Sequence, residues 1–336
     1  MRTPSLFLVI VIAAGIVGAG CSSASTSNAV PIERSQDVGA SPVPEIVVSE
    51  SLPHEGKVVV FQQSDNGDVA PVSEIDGSGA GAVVFYGVAI APGGDIIVTA
   101  PNDNELIAYA DSATGPAAPL YTITCAGLNF PTSLAFDRRG NLYATNSGRA
   151  PFSISVMAAT ASGCVSTYEQ IAGGHTGLFN PQGIHAAPAG RLYVLNNKDS
   201  VTEYAPGSSG NIGWTHNIHG PDTELNTNSE CGDAIFVTPD GTIYVANAAG
   251  RSITEYAFDA NGDVAPIRAI AGPMTGLHYP TAITVNDAGE IFVANALGNS
   301  ITVYAAGAHG DAPPIQTIAG PNTQLSGFLE GIALDN

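Results

Sequence analysis

GTIYVANAAGRSITEYAFDANGDVAPIRAIAG, residues 241–272, returns in altered form as GEIFVANALGNSITVYAAGAHGDAPPIQTIAG, residues 289–320. Both stretches open on a glycine, pass through two short segments rich in β-branched and aromatic residues, turn at an internal glycine and close on IAG. A repeat near fifty residues built of short apolar strands marks a β-propeller blade, in which each repeat supplies one four-stranded sheet. Working outward, the opening glycine recurs at Gly94, Gly140, Gly190, Gly241 and Gly289, at spacings of 46, 50, 51 and 48 residues. Each separates a first strand such as SLAFD or TAITV from a second such as NLYAT, TIYVA or EIFVA. A third strand follows as ELIAYA, SVTEYA, SITEYA or SITVYA, and a turn at Gly115, Gly163, Gly210, Gly262 or Gly310 leads into a fourth. Five complete blades therefore lie between roughly residues 85 and 325.

The two ends of the chain each carry the part of the pattern that the other lacks. EGIALDN, residues 330–336, matches a first strand with nothing after it, whereas EIVVSES, KVVVFQQ and VAPVSEI, between residues 45 and 75, match strands two to four with no first strand before them. One C-terminal strand joined to three N-terminal strands would complete a sixth blade and leave no open sheet edge at the seam. The sequence thus predicts an all-β, six-bladed β-propeller over residues 45–336. Four copies of G-x-x-T-x-L, around Thr176, Thr223, Thr275 and Thr323, link the blades and read as turn chemistry packed beneath the next blade.

Residues 1–20 read as a signal peptide: Arg2 supplies a short positive region, Leu6 to Val17 an uncharged apolar run, and GAG leads into Cys21. The apolar run is shorter than the ~20 residues that a spanning helix needs. Small residues before a cysteine resemble the lipobox of bacterial lipoproteins, which implies lipidation at Cys21. Gly18 stands where that motif usually has an aliphatic residue, so cleavage to a secreted soluble protein is the alternative. Residues 21–44, with SSASTSN and scattered prolines, read as a flexible tether. The expected location is the bacterial cell envelope, with membrane contact only through the lipid anchor.

Thirty acidic against ten basic residues give a net charge of −20, a field that repels phosphate backbones and sets nucleic acid aside as a partner. The same acidity keeps a propeller soluble, in keeping with a monomer. Beyond Cys21 there remain Cys125, Cys164 and Cys231. The blade map puts Cys164 at the opposite face from the other two, and no CxxC or Cys/His metal spacing is present. All three are expected to be small, wholly or partly buried residues.

Chemistry in a propeller gathers where the first strands enter the central channel, since every blade contributes one residue there. In register, the entrance ring is Tyr86, Thr132, Gln182, Asp233, Thr281 and Glu330. Two poorly solvated carboxyls one blade apart would raise each other's pKa unless a cation lies between them. Oxygen ligands favour Ca²⁺, Mg²⁺ or Mn²⁺, with Zn²⁺ a further divalent choice. No GxSxG elbow, phosphate loop or HExxH is present. His185 reads as a packed, hydrogen-bonded residue within GIHAA, and His175, His219 and His278 fall in links between blades. Asn146, Asn196, Asn247 and Asn295 follow second strands and read as caps of the next turn.

The repeats, including the entrances PQGI and EGIA, resemble NHL-repeat propellers over nearly the whole mature chain, which implies a binding surface on a six-bladed ring. A narrower similarity is to the gluconolactonase and regucalcin-like family, whose channel entrances hold one divalent metal through a glutamate, two asparagines and an aspartate. That similarity implies metal ligation by Glu330 and Asp233, with Gln182 and Thr132 at the asparagine positions, and Asp233 as the catalytic base of lactone hydrolysis. NHL-type lyases that hold zinc through histidines would need histidine in the entrance ring, and none is there. The expected function is a non-catalytic binding module for a protein, glycan or small-molecule ligand; the alternative is a metal-dependent lactonase-type hydrolase.

Overall fold

The computed structural model of the chain describes residues 43–53, 55–81, 84–158, 169–227 and 234–335. The signal segment, Cys21, the tether up to residue 42, Cys164, Cys231 and Asp233 lie outside the described residues.

Six four-stranded antiparallel sheets form the six blades of a β-propeller. Blades 1 to 5 begin with the innermost strands Val88–Ile90, Pro131–Phe136, Pro181–Ala186, Ala234–Val237 and Pro280–Val285. Blade 6 is the composite that the two ends of the sequence imply: Phe328–Asp335 pairs with Glu45–Ser51, followed by Gly56–Gln62 and Ser73–Asp76. In that seam Glu45 faces Asp335 and Val48 faces Ile332, with a bulge at Ser49/Glu50.

Blades are buried on both faces, which is why their strands are continuous apolar runs rather than strict alternations. Ile46, Val48, Val59 and Phe61 of blade 6 pack against Phe292, Ala294 and Ile301 of blade 5. The intervening residues Val47, Val58 and Val60 point to the other side, into blade 1 around Val98, Ile107 and Tyr109. A side-chain period of two thus supplies two cores at once. Each core lies between neighbouring blades, and Cys125 is buried in the one shared by blades 1 and 2.

Neighbouring blades are also stitched by backbone. The turn glycine before a fourth strand makes a parallel bridge to the fourth strand of the preceding blade: Ile75 with Gly115, Ile171 with Gly210, Ile218 with Gly262, Ile270 with Gly310, and across the seam Gly67 with Ile318. Flanking side chains reinforce the seam stitch. Asn66 Oδ1 accepts from Thr317 N at 2.9 Å, and Asp68 Oδ1 from Asn322 N at 2.7 Å. Asp68 sits so close to Gly320, whose φ is +132°, that a Cβ there would lie 2.4 Å from the carboxyl carbon. The closing glycine of IAG is therefore required by contact as well as by backbone conformation.

The G-x-x-T-x-L links behave as turns. In each, the threonine hydroxyl donates to the glycine carbonyl, as Thr176 does to Gly173 at 2.8 Å, and accepts from the leucine N–H. Third-strand tyrosines anchor the same links: Tyr204 Oη donates to Thr176 O and Tyr304 Oη to Thr275 O, both at 2.7 Å. Trp214 remains 43% exposed but covers Gly177 of the preceding link.

A buried ion pair locks the seam. Glu50 is fully buried, and Lys57 lies opposite it in the ladder with Nζ 2.7 Å from its carboxylate. Lys57 also donates to Gln324 O at 2.7 Å, while Glu50 Oε2 accepts from Gly327 N at 2.8 Å and Ser326 N at 3.1 Å. The pair therefore grips the link that feeds the closing strand. Among the described residues no helix is long and apolar enough to cross a membrane.

Candidate functional site

Six first strands can converge on one axis only if the residues at their closest approach are small. The position after each entrance residue is Gly87, Ser133, Gly183, Ala234, Ala282 and Gly331, a regularity that sequence reading passed over. At Gly331 a Cβ would come within 2.8 Å of Val88 N, and at Gly87 within 2.8 Å of Thr132 O. Two residues beyond the entrance stand Val88, Leu134, Ile184, Ile235, Ile283 and Ile332, an aliphatic tier in which each member is largely buried. The result is a polar mouth above an apolar channel.

Tyr86, Thr132, Gln182, Thr281 and Glu330 all border one cavity of about 260 Å³ on the channel axis, together with the aliphatic tier and His185. The sixth entrance position, Asp233, is outside the described residues. The five differ in what they can offer a ligand. Thr132 Oγ1 lies 3.0 Å from each of Thr145 Oγ1, Ser147 Oγ and Pro181 O. Thr281 Oγ1 donates to Leu329 O at 2.7 Å. Both hydroxyls are thereby engaged in joining one first strand to the next, and Ser49, on the second strand of blade 6, donates to Tyr86 O and so ties blade 6 to blade 1. Gln182 borders the cavity with its amide, whose Nε2 lies 3.3 Å from Asn180 O. Tyr86 presents its ring, braced edge-on by Phe130 at a centroid distance of 5.7 Å.

Glu330 meets solvent only through the mouth, and burial raises its carboxyl well above the ordinary value of 4.5 against the opposing pull of a hydrogen bond with Ser51. Ser51 is fixed in turn by donation from Oγ to Phe85 O at 2.8 Å. Farther down the channel, burial lowers His185 to about 4, and its ring packs edge-to-face with Phe236 at a centroid distance of 4.6 Å. A neutral, packed histidine is what its place in GIHAA implies. His175, His219 and His278 do not border the cavity.

The recurring asparagines have a different part from the one their sequence position suggests. Asn146, Asn196, Asn247 and Asn295 are buried to within 1% of completeness. Each Oδ1 accepts from the link that enters the first strand of its own blade, as Asn196 does from Phe179 N and Asn295 from His278 N, both at 3.0 Å. Each Nδ2 reaches a third-strand hydroxyl, such as Thr202 or Thr302 at 3.0 Å. They clamp the approach to the channel and do not line a groove.

One other cluster has metal-ligand chemistry: Glu203, His216 and Asp259 bring ligand atoms within 4.8 Å of one another. Arg191 Nη1 already lies 3.0 Å from both Glu203 and Asp259. The guanidinium supplies the positive charge that a cation would bring. At the channel mouth the described residues furnish one carboxyl and one amide, short of the six to eight oxygens that calcium takes.

No family model matches the chain, and no curated protein matches it. Among solved structures it is similar to a protein of unknown function from Bacteroides caccae, at 13% identity over 87% of this chain and 98% of that one, with a TM-score of 0.59. That likeness is one of fold. Streptogramin B lyase is similar at 14% identity over 71% of this chain and 70% of that one, with a TM-score of 0.47. Virginiamycin B lyase from Staphylococcus aureus gives 14%, 71% of each chain and 0.49.

Proposed function

We propose that this chain is an exported, lipid-anchored propeller of NHL type in a bacterial cell envelope, acting as a binding module whose ligand enters the channel mouth. The observation that carries this reading is the cavity at the mouth and the unlike side chains that border it. Thr132 and Thr281 tie first strands together, and Gln182, Tyr86 and Glu330 border the same cavity with an amide, an aromatic ring and a carboxyl. A polar rim over an apolar shaft suits a small amphiphilic ligand. The leader, Cys21 and the polar segment after it support export and anchoring.

Two measurements test this. A thermal-shift screen of small metabolites against the mature protein should yield stabilising compounds whose effect is lost in Gln182→Ala and Tyr86→Ala. Stabilisation indifferent to both substitutions refutes the site, and enzyme-like lactone hydrolysis abolished by Asp233→Ala refutes a purely binding role. Labelled palmitate should enter the protein in cells and be lost in Cys21→Ala; labelling that persists in that variant refutes the anchor.

A further inference from the structure

The fully buried glutamates in this ring each face a cation, whereas Glu330, half-buried at the channel mouth, faces none among the described residues. Glu50 faces Lys57 at 2.7 Å, Glu203 faces Arg191 at 3.0 Å and Glu255 faces Arg268 at 2.5 Å. No lysine or arginine borders the channel cavity among the described residues, and His185 below is uncharged near neutral pH. A carboxyl taken out of water without a counter-charge is costly, and the cost is relieved by whatever supplies that charge.

The surroundings define the supplier. Tyr86 places an aromatic ring at the same mouth, and a ring and a carboxylate bordering one cavity both attract an ammonium group, the first through its quadrupole and the second by charge. Beneath lies the aliphatic tier, which favours an apolar body over a hydrated metal ion. The cavity of about 260 Å³ falls just below the range of drug-sized sites, so the guest is compact. The net charge of −20 draws cations toward the protein and disfavours anions.

From these observations we infer that the channel mouth takes a small organic cation, a protonated amine on a compact apolar body, with the ammonium at Glu330 and the apolar part against Tyr86 and the aliphatic tier. The inference rests on the mouth being the binding site and deepens it by naming the ligand's charge.

Calorimetric titration of the mature protein with benzylamine and with benzyl alcohol, near-isosteres of different charge, isolates that claim. Benzylamine should bind at least 10-fold more tightly than the alcohol, and the preference should vanish in Glu330→Gln, whose fold is checked by its melting curve. Equal binding of the two, preference for the alcohol, or an amine preference that survives Glu330→Gln overturns the assignment. Failure of both probes to bind overturns it as well. If the metabolite screen still finds compounds sensitive to Gln182→Ala and Tyr86→Ala, the mouth stands as a site while its cation selectivity falls.

Discussion

Replacing Lys57 by methionine would keep the aliphatic stem in place and remove only the charge that Glu50 faces. Glu50 is fully buried, and once Lys57 is gone its carboxylate is left with two backbone donors, Ser326 N and Gly327 N. Gln324 O would also lose its donor. Breaking one side of a buried ion pair costs about 3–5 kcal/mol, since the remaining charge stays uncompensated. For a ring of this size that corresponds to a melting-temperature drop on the order of 10 °C. The pair between Arg191 and Asp259 provides the control, with the same kind of contact at 3.0 Å but side chains 30% and 48% exposed. Solvent screening limits such a pair to roughly 0–1 kcal/mol, so Asp259→Asn should be nearly silent. Urea unfolding of both variants, with Glu50→Gln/Lys57→Met as the double replacement, measures the difference, and the double variant should recover part of the loss. If Lys57→Met costs no more than Asp259→Asn, the reasoning that assigns closure of the ring to this pair is wrong.

Two other outcomes are expected. Because the folded pKa of Glu330 is raised, the folded state holds its proton where the unfolded chain has released it, so its contribution is full below about pH 4.5 and is lost as pH rises through the folded value. Glu330→Gln should therefore match the parent at pH 4 and exceed it in urea midpoint at pH 8; an unchanged difference between the two pH values contradicts the burial argument. Deleting residues 329–336 removes Leu329 and Ile332 from their cores and bares the edge of Glu45–Ser51. Size-exclusion chromatography should then show aggregation and melting should fall, whereas a monodisperse protein of unchanged stability would contradict a shared sixth blade.

The ring itself was legible because a blade is a local object: four strands and three turns within fifty residues, marked by glycines such as Gly241 and Gly289. The seam was legible from complementary absences at the two ends. Glu50 and Lys57 were not, because two opposite charges around a hairpin look like any solvated pair until Ser326, 276 residues away, covers them. The asparagines were misassigned for a related reason. Asx chemistry favours a nearby backbone partner, but at Asn196 and Asn295 the side chain turns inward to a link that precedes its own blade. At the mouth, register identified which residues meet. It could not say that the hydroxyls of Thr132 and Thr281 would be taken by carbonyls of the neighbouring strand, since those partners are set by how closely the first strands approach.

The composite blade also has a temporal meaning. Blades 1 to 5 can each assemble from contiguous chain, but the wall that carries Glu330 exists only when Phe328–Asp335 docks against Glu45–Ser51, the longest-range strand pairing among the described residues. Such contacts form late, since the ends must be held together before they are rewarded. An incomplete ring would therefore present five blades without Glu330 at its pore, and any guest recognised through that carboxyl would be admitted only by finished molecules.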